Sequence, residues 1–369
     1  MAIMIPVSQP SIGEKEISYV KDAVESGWVS SLGKYIEQFE GEFARFCGTR
    51  YALTVSNGTT ALHLALLAAG IKSGDEVIVP DLTFVATANA VSYIGALPIM
   101  VDVDIDTLCI DPKAIEKAIT PRTRAIVPVH LYGHPADMDA INEIAKRHGL
   151  VVIEDAAEAH GAEYRGRRAG SLGLCGVFSF YGNKVITTGE GGMITTDNEA
   201  LFLTAKRLRD HAMSATKRYW HEEIGYNYRM TNLQAALGVA QMERIDSFIA
   251  KRREIMSWYR DELASNTRLR LNRSADWAAN AYWMICVEVN GMTDAQRQIL
   301  MTCLRNRGID SRPYFYPMSD MPMYPDAHTP VTHRVSQAGM NLPSFVDLTK
   351  DDVRFICAQF ELALEESLV

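Results

Sequence analysis

Four features are missing from this sequence of 369 residues, and each absence argues against a class of protein. The longest apolar run, 61–71, falls well short of the about 20 residues that a membrane-spanning helix needs. No basic excess exists, since 37 Lys and Arg face 45 Asp and Glu, and a net charge of −8 argues against general nucleic-acid binding. The start, MAIMIPVSQP, lacks the pattern of an export signal, so we expect a cytoplasmic protein without membrane association.

Grouped cysteines are missing as well. The six cysteines include no C-x-x-C pair, which predicts reduced, mostly packed thiols and no metal site. They are Cys47, Cys109, Cys175, Cys286, Cys303 and Cys357. Hydrophobic residues make up 47% and charged residues 22% of the chain, which is globular composition and excludes a disordered or collagen-like protein.

The first 250 residues alternate short apolar runs with amphipathic stretches. Apolar runs at 51–56, 76–79, 97–101, 125–129 and 150–154 predict strands, and little polar alternation suits a parallel sheet covered on both faces. Helices are predicted at 14–26, 36–47, 59–69, 84–93, 112–118 and 138–148. The alternation predicts a large doubly wound α/β domain over residues 1–250.

The pattern changes in residues 251–369, which predict a smaller α+β domain. A linking helix is expected at 252–262 and a strand at 283–289. Capping boxes that begin at Thr293 and Thr349 predict two further helices. No linker rich in proline or glycine separates the two parts, so we expect them to pack firmly together.

The first candidate site residues follow the strand 51–56. Ligands of open parallel sheets bind beyond the carboxyl ends of the strands. Here Gly58, Thr59 and Thr60 stand where a helix begins, and free N–H groups with hydroxyls suit a phosphate. An ordinary helix cap would use the same residues, so this segment alone leaves both interpretations open.

Two charged residues also follow predicted apolar strands. Asp155 follows the strand 150–154, where a carboxylate can hold a ring cation or cap a following helix. Lys184 lies between an apolar segment and a glycine-rich turn, where burial would lower the pKa of its amine and make it nucleophilic. A lysine in a surface loop is the alternative. A phosphate cradle, a carboxylate and a reactive lysine are together the parts that pyridoxal phosphate needs, and Phe84 is placed to stack on its ring.

Six segments, in this order, resemble the DegT/DnrJ/EryC1/StrS family of pyridoxal-phosphate sugar aminotransferases. They are SNGTTALHLAL, PDLTFVATANAV, PVHLYGHPADMDAI, VIEDAAEAHGA, FSFYGNKVITTGEGGMITT and GYNYRMTNLQAALG. The resemblance extends from about residue 6 to the C-terminus. It implies the aspartate-aminotransferase-like fold (fold type I), with a mostly parallel seven-stranded sheet, pyridoxal 5′-phosphate as cofactor, and a homodimer.

The resemblance also implies roles for single residues. Lys184 would bond to the cofactor aldehyde, Asp155 would pair with the ring nitrogen, and Phe84 would cover one ring face. Glu158 stands where the family usually has Gln, near the ring hydroxyl. The phosphate would be bound by Thr59, Thr60 and Ser179 and by Asn227 of the partner subunit. The active site would then be shared between subunits.

Lys184 also separates this chain from related sugar 3-dehydratases, which carry His at that position. Retention of the lysine favours transamination from L-glutamate to a nucleotide-linked keto sugar, with ping-pong kinetics. A lyase or racemase on the same fold is one alternative. A cofactor-binding regulator of transcription is another, against which the acidic charge and the lack of a DNA-binding motif both speak.

The segments 217–220, 225–232 and 308–318 are similar to family members that aminate C4 of GDP-4-keto-6-deoxy-mannose for O-antigen or other surface polysaccharides. Another UDP- or dTDP-linked 3- or 4-keto sugar is the alternative. Substrate contacts are expected from Arg218, Tyr219, Arg229, Arg312, Tyr316 and Ser319. The arginines could bind a diphosphate or form structural ion pairs, and Ser319 stands where the family commonly has His.

Two histidines are expected to be structural. His130 has no suitably spaced partner ligands, which argues against a metal site. His63 is flanked by leucines on a predicted helix, which indicates a hydrogen-bonded interior side chain.

Overall fold

The computed structural model describes residues 4–367. In that range, no helix combines the length and the apolar character that crossing a membrane requires. The six cysteines are unpaired, and all except the partly exposed Cys303 are buried, which confirms the predicted reduced and packed thiols.

A seven-stranded sheet forms the centre of the larger part of the chain. The strands up to residue 196 are β1 (Tyr51–Val55), β2 (Glu76–Pro80), β3 (Leu97–Val101), β4 (Thr123–Ile126), β5 (Val151–Asp155), β6 (Glu163–Tyr164), β7 (Arg167–Arg168), β8 (Cys175–Ser179) and β9 (Gly192–Thr196). The order in the sheet is β1-β9-β8-β5-β4-β2-β3. β9 runs antiparallel to the other six strands, which share one direction, so the predicted mostly parallel sheet is confirmed.

Helices cover both faces of this sheet. They are α1 (Glu14–Glu25), α2 (Lys34–Cys47), α3 (Gly58–Ala68), α4 (Ala86–Tyr93), α5 (Pro112–Ala118), α6 (Met138–His148), α7 (Glu199–Arg209) and α8 (Asn232–Met242). Side chains of β2 show the two-sided burial, because Ile78 packs in one apolar cluster while Val77 and Val79 pack in the other. Because both faces of the sheet are buried, the sequences of its strands are continuous apolar runs without polar alternation.

One predicted strand is wrong in its extent. The strand predicted at 125–129 ends at Ile126, and Val129 contributes only an isolated bridge to Asp155. Pro128 has no N–H to donate, so a regular ladder cannot continue through it. The other predicted helices and strands of this part agree with the structure to within about two residues at each end.

The C-terminal part is built around a second sheet. The strands of this sheet are β10 (Leu269–Leu271), β12 (Ile285–Val289), β13 (Arg312–Pro313) and β14 (Gly339–Leu342), whereas β11 (Ala278–Ala279) pairs with β6 in a small sheet of three strands. The helices of this part are α9 (Ile245–Leu263), α10 (Asp294–Asn306), α11 (Pro330–Ala338) and α12 (Lys350–Ser367). The antiparallel order is β10-β12-β14-β13. The predicted caps at Thr293 and Thr349 are confirmed. The predicted boundary near residue 250 falls inside α9 and stays a prediction.

The two parts are joined where strands of the large sheet end. Asp81, fully buried after β2, accepts the N–H and the hydroxyl of Ser319, both at 2.8 Å, and the hydroxyl of Thr329 at 2.5 Å. Asp102 after β3 accepts two N–H groups and the Thr332 hydroxyl at the start of α11. The C-terminal segment 318–332 is therefore fixed against the edge of the sheet where the candidate site lies.

Candidate active site

The N-terminus of α3 forms one wall of the candidate site. The Asn57 side chain accepts the N–H of Thr60 at 2.9 Å, and the Thr60 hydroxyl donates to the Asn57 carbonyl at 2.9 Å. In the described range, no hydrogen bond uses the Thr59 hydroxyl or the N–H groups of Gly58 and Thr59. Thr60 thus acts as part of a cap, while donors beside it remain available to an anion.

Two glycines allow this helix start to meet the strands. A Cβ on Gly58 would lie 2.8 Å from the Cβ of Ser179, and a Cβ on Gly192 would lie 2.5 Å from the Asn57 carbonyl oxygen. Ser179, at the end of β8, therefore brings its hydroxyl against the free donors of α3. Hydroxyl and N–H donors at a helix N-terminus fit the phosphate of the cofactor that the sequence implies.

Asp155 is buried at the end of β5, with 5% of its surface exposed. Its carboxylate accepts the Thr87 hydroxyl at 2.8 Å and the N–H of Ala157 at 3.2 Å, and none of the described ion pairs includes it. Burial raises the pKa of this carboxyl group. Residues 156–162 form turns, so Asp155 caps no helix, and a protonated ring nitrogen would supply the missing cation.

The two histidines expected in the interior are hydrogen-bonded there. His63 lies 3.0 Å from the Tyr228 hydroxyl, and His130 lies 2.9 Å from Glu154. Glu154 also accepts three N–H groups of the segment 170–173 at 2.6–2.7 Å. Because Glu154 directly precedes Asp155, this buried cluster holds the end of β5 in place.

Lys184 has only 12% of its side chain exposed, so it is not a surface lysine. Its Nζ lies 3.9 Å from Glu158 Oε1 and 4.0 Å from the centre of the Trp283 ring. Burial lowers the pKa of the amine, against the opposing charges of Glu158 and Asp155. A larger fraction of the amine is therefore neutral and nucleophilic near neutral pH than for an exposed lysine.

Glu158 is 3% exposed and accepts the Tyr132 N–H at 2.8 Å. Burial raises the pKa of its carboxyl group to about 7, although the nearby Lys184 charge acts in the opposite direction. The side chain therefore changes protonation state near neutral pH, beside the amine. Gln, which the family usually has at this position, could not do so.

Aromatic side chains line the remaining side. Phe84 is 55% exposed, and its ring centre lies 6.0 Å from that of Phe315. Phe315 stacks on Tyr132 at 5.5 Å, and Tyr132 lies 6.3 Å from Trp283. The exposed face of Phe84 is open to a planar ligand, as its predicted role requires.

Asn227 and the expected nucleotide contacts lie on a separate exposed segment. Asn227 is exposed, its backbone bridges to Asp210, and no described hydrogen bond joins it to the phosphate cradle. Tyr219 is 75% exposed, with the Arg218 guanidinium 4.9 Å from its ring centre. Within one chain, no described contact joins these three side chains to Lys184.

The other expected substrate residues divide into two groups. Arg229 pairs with Asp210, which makes it a structural ion pair in this chain. Arg312 is exposed, belongs to none of the described ion pairs, and is close enough to Lys184 for its charge to lower the pKa of that amine. Tyr316 is 47% exposed, so Arg312 and Tyr316 are available to a ligand.

Ser319 has a different environment from the one expected. The side chain is only 3% exposed, and both its N–H and its hydroxyl are donated to Asp81. The hydroxyl is therefore used in the joint between the two parts of the chain. The geometry gives no support to a direct contact between Ser319 and a sugar.

Sequence reasoning missed three residues of the site: Thr87, which donates to Asp155, Tyr132, which holds Glu158, and Trp283, which contacts Lys184. Thr87 lies inside α4, in the quoted segment PDLTFVATANAV, but the motif gave no sign that its hydroxyl would reach Asp155; Trp283 precedes β12 and belongs to none of the quoted segments. Tyr132 stands in the quoted segment PVHLYGHPADMDAI, but its contribution is a backbone N–H, which no side-chain pattern indicates.

Comparisons with known proteins identify the family and the fold of this chain. Residues 10–361 match the DegT/DnrJ/EryC1/StrS aminotransferase family. The chain is 46% identical to the GDP-perosamine synthase of Caulobacter vibrioides, over 98% of both chains, and 46% identical to that of Escherichia coli O157:H7, over 96% of both. The PLP form of the putative sugar aminotransferase Spr1654 from Streptococcus pneumoniae has a TM-score of 0.94 at 27% identity, over 99% of this chain and 100% of that chain. The expected fold type I is confirmed.

Replacement of Glu158 by Gln should change how stability depends on pH. The folded protein holds a proton on Glu158 up to about pH 7, whereas the unfolded chain releases it near pH 4.5, so stability falls as pH rises between these values. Glu158→Gln removes this loss. We expect the free energy of unfolding of the cofactor-free protein, measured with denaturant, to fall between about pH 5 and pH 8. This fall should be smaller in the variant by about 2 kcal/mol. Equal falls in both proteins would contradict the raised pKa.

Proposed function

The chain belongs to the DegT/DnrJ/EryC1/StrS aminotransferase family, and from this premise we propose that it transfers the amino group of L-glutamate to C4 of GDP-4-keto-6-deoxy-D-mannose. The product would be GDP-perosamine, a precursor of O-antigen or another surface polysaccharide. The enzyme is a pyridoxal-phosphate-dependent sugar aminotransferase. The expected cytoplasmic location stays a prediction.

One observation carries the proposal: a buried lysine lies close enough to the buried Asp155 to feel its charge, and free phosphate donors stand at the N-terminus of α3, at the same edge of the sheet. When bound, pyridoxal phosphate supplies an aldehyde that accepts amines and a ring that withdraws electrons from an adjacent carbon. The N–H groups of α3, the Thr59 hydroxyl and the Ser179 hydroxyl would hold its phosphate. Asp155 would keep its ring nitrogen protonated, and Phe84 would cover one ring face.

The amine of Lys184 performs the proton transfers. Lys184 Nζ, once released, would take the proton from Cα of glutamate and deliver it to the C4′ carbon of the cofactor. In the second half-reaction it would take a proton from that carbon and deliver it to C4 of the sugar. A lowered pKa suits this work, because the same group must act as base and then as acid near neutral pH. The small exposed fraction of Lys184 limits competition from water for these protons.

Support for the GDP-linked sugar comes from the relatives, since both reported enzymes are GDP-perosamine synthases and match nearly the full length. Arg312 and Arg218 are exposed basic side chains that could bind the diphosphate on a chain of net charge −8. A UDP- or dTDP-linked 3- or 4-keto sugar is the second candidate. The departure in sequence at Ser319, where the family commonly has His, is what keeps this alternative open.

Lys184→Ala should abolish the absorption band that the lysine-bound cofactor gives. Wild-type protein mixed with pyridoxal phosphate should develop this band, and L-glutamate alone should then convert the cofactor to its amine form and release 2-oxoglutarate. Substitution of the exposed Lys217 by Ala is the matched control and should leave the band unchanged. An identical spectrum for Lys184→Ala would refute the lysine assignment, whereas a band without 2-oxoglutarate release would favour a lyase or racemase.

A panel of keto-sugar nucleotides should identify the substrate. With L-glutamate present, mass spectrometry should detect an amino sugar from GDP-4-keto-6-deoxy-mannose at a kcat/KM at least tenfold above those for UDP- and dTDP-linked 4-keto sugars, a preference equal to about 1.4 kcal/mol of transition-state binding. A higher kcat/KM for a UDP- or dTDP-linked sugar would contradict the GDP assignment but not the assignment as a sugar aminotransferase.

The proposed enzyme works as a homodimer whose subunits share active sites. Apolar side chains that a monomer would leave in water support this, among them Leu32 at 64% and Ile224 at 84% exposure. They lie on neighbouring segments, since Arg229 contacts Ser31 at 3.1 Å. Asn227 belongs to the same exposed region and would reach the phosphate in the partner's site.

Mixing two inactive variants should therefore restore activity. In a heterodimer of Lys184→Ala and Asn227→Ala subunits, one site would carry both substitutions and the other neither. Random exchange at equal concentrations should yield about a quarter of wild-type activity, because half of the dimers are mixed and each has one intact site. Each variant alone is the control and should be strongly impaired. No recovery despite demonstrated subunit exchange would place Asn227 in its own subunit's site or outside any site.

A further inference from the structure

Trp283 lies directly against the amine on which the proposed reaction depends. The Lys184 Nζ is 4.0 Å from the centre of the Trp283 ring, and the tryptophan is 4% exposed. An ammonium group over an indole face is attracted by the ring quadrupole, and the attraction grows when water is excluded. This contact is thus one of the few that can stabilise the charged amine in a buried site.

Four hydrogen bonds fix the position of Trp283. Its Nε1–H donates to the carbonyl of Asn183 at 2.7 Å, and its backbone N–H donates to the carbonyl of Tyr132 at 3.2 Å. Its carbonyl accepts from Arg252 at 2.8 Å and from the Ser344 hydroxyl at 2.9 Å. A ring with this many constraints is a rigid surface, and the bond to Asn183 places it beside the backbone that carries Lys184.

The indole face does not act alone on the amine. The carboxyl group of Glu158 at 3.9 Å and the more distant Asp155 favour the charged form, whereas burial and Arg312 disfavour it. His160 is buried nearby, and burial lowers its pKa to about 3, so it stays neutral. Because Glu158 is only partly ionised near neutral pH, its attraction for the amine changes with pH in that range, whereas the attraction of the uncharged indole does not.

We propose that Trp283 is a positioning residue that holds the Lys184 amine against its indole face whenever that amine is not bonded to the cofactor. The inference rests on the proposed function, since only then does the amine leave the cofactor and return in each half-reaction. If the flexible four-carbon side chain of Lys184 had no fixed position while it was free, it would lose conformational entropy each time it bonded to the cofactor again. The indole face fixes the position of the free amine and favours its protonated form, which is the form that can donate a proton.

The test measures how fast cofactor-free protein captures pyridoxal phosphate as pH is varied. Capture requires the neutral amine, so the rate rises with pH through the midpoint at which Lys184 loses its proton. Trp283→Leu removes the aromatic face and should move this midpoint down by about one pH unit. Trp283→Phe keeps a weaker face and should move it by about half as much.

The controls separate this effect from damage to the fold. Trp277 packs on Tyr164 and His134, with ring centres 4.9 and 5.4 Å apart, and makes no described contact with Lys184. Trp277→Leu should lower the thermal unfolding temperature and leave the midpoint unchanged. If Trp283→Leu does not fold, the Phe variant still decides the question.

A midpoint equal to that of wild type in the folded Trp283 variants would overturn the inference and leave the aminotransferase assignment intact. If the wild-type protein itself captured no cofactor, the proposed function would fail instead. The two failures are therefore distinguishable in one experiment.

Discussion

The exclusion of water from a single amine is the constraint on which the rest of this structure depends. Lys184 must be buried for its amine to be neutral often enough to react, yet a buried amine needs partners for the moments when it is charged. Glu158, Asp155 and the indole of Trp283 provide them. Each partner comes from a different element, so the sheet, the turns after it and the C-terminal part must all be in place together.

Much of the fold and the polar centre of the site could be predicted from the sequence, because both leave local patterns. Apolar runs and caps indicate the elements, and the residues that follow strand ends, such as Asp155 and Ser179, meet at one edge of a parallel sheet. Partners supplied from distant elements leave no such pattern. Thr87, Trp283 and the N–H of Tyr132 became visible only through packing, and the interior role of Ser319 depends on Asp81, 238 residues away in the chain.

Three neighbouring carboxylates of this protein show how the surroundings of an acidic side chain determine its role. Glu154, fully buried, accepts four hydrogen bonds and serves the structure. The adjacent Asp155 keeps acceptor capacity for a ligand. Glu158, with a single N–H donor and a lysine at 3.9 Å, has a pKa near neutrality. Three acidic residues within five positions therefore have three different tasks, which composition alone could not assign.

The joint at Asp81 has a consequence for the conditions under which the enzyme keeps its shape. Dissolved ions weaken exposed pairs of opposite charge over a Debye length of about 8 Å at physiological ionic strength. Asp81 is instead satisfied by an amide and two hydroxyls inside the protein, and none of the described ion pairs includes it. The distance between Phe84 and the segment that carries Arg312 and Tyr316 is thus set by contacts that electrolytes barely screen, so substrate geometry should be the same in dilute buffer and at physiological ionic strength.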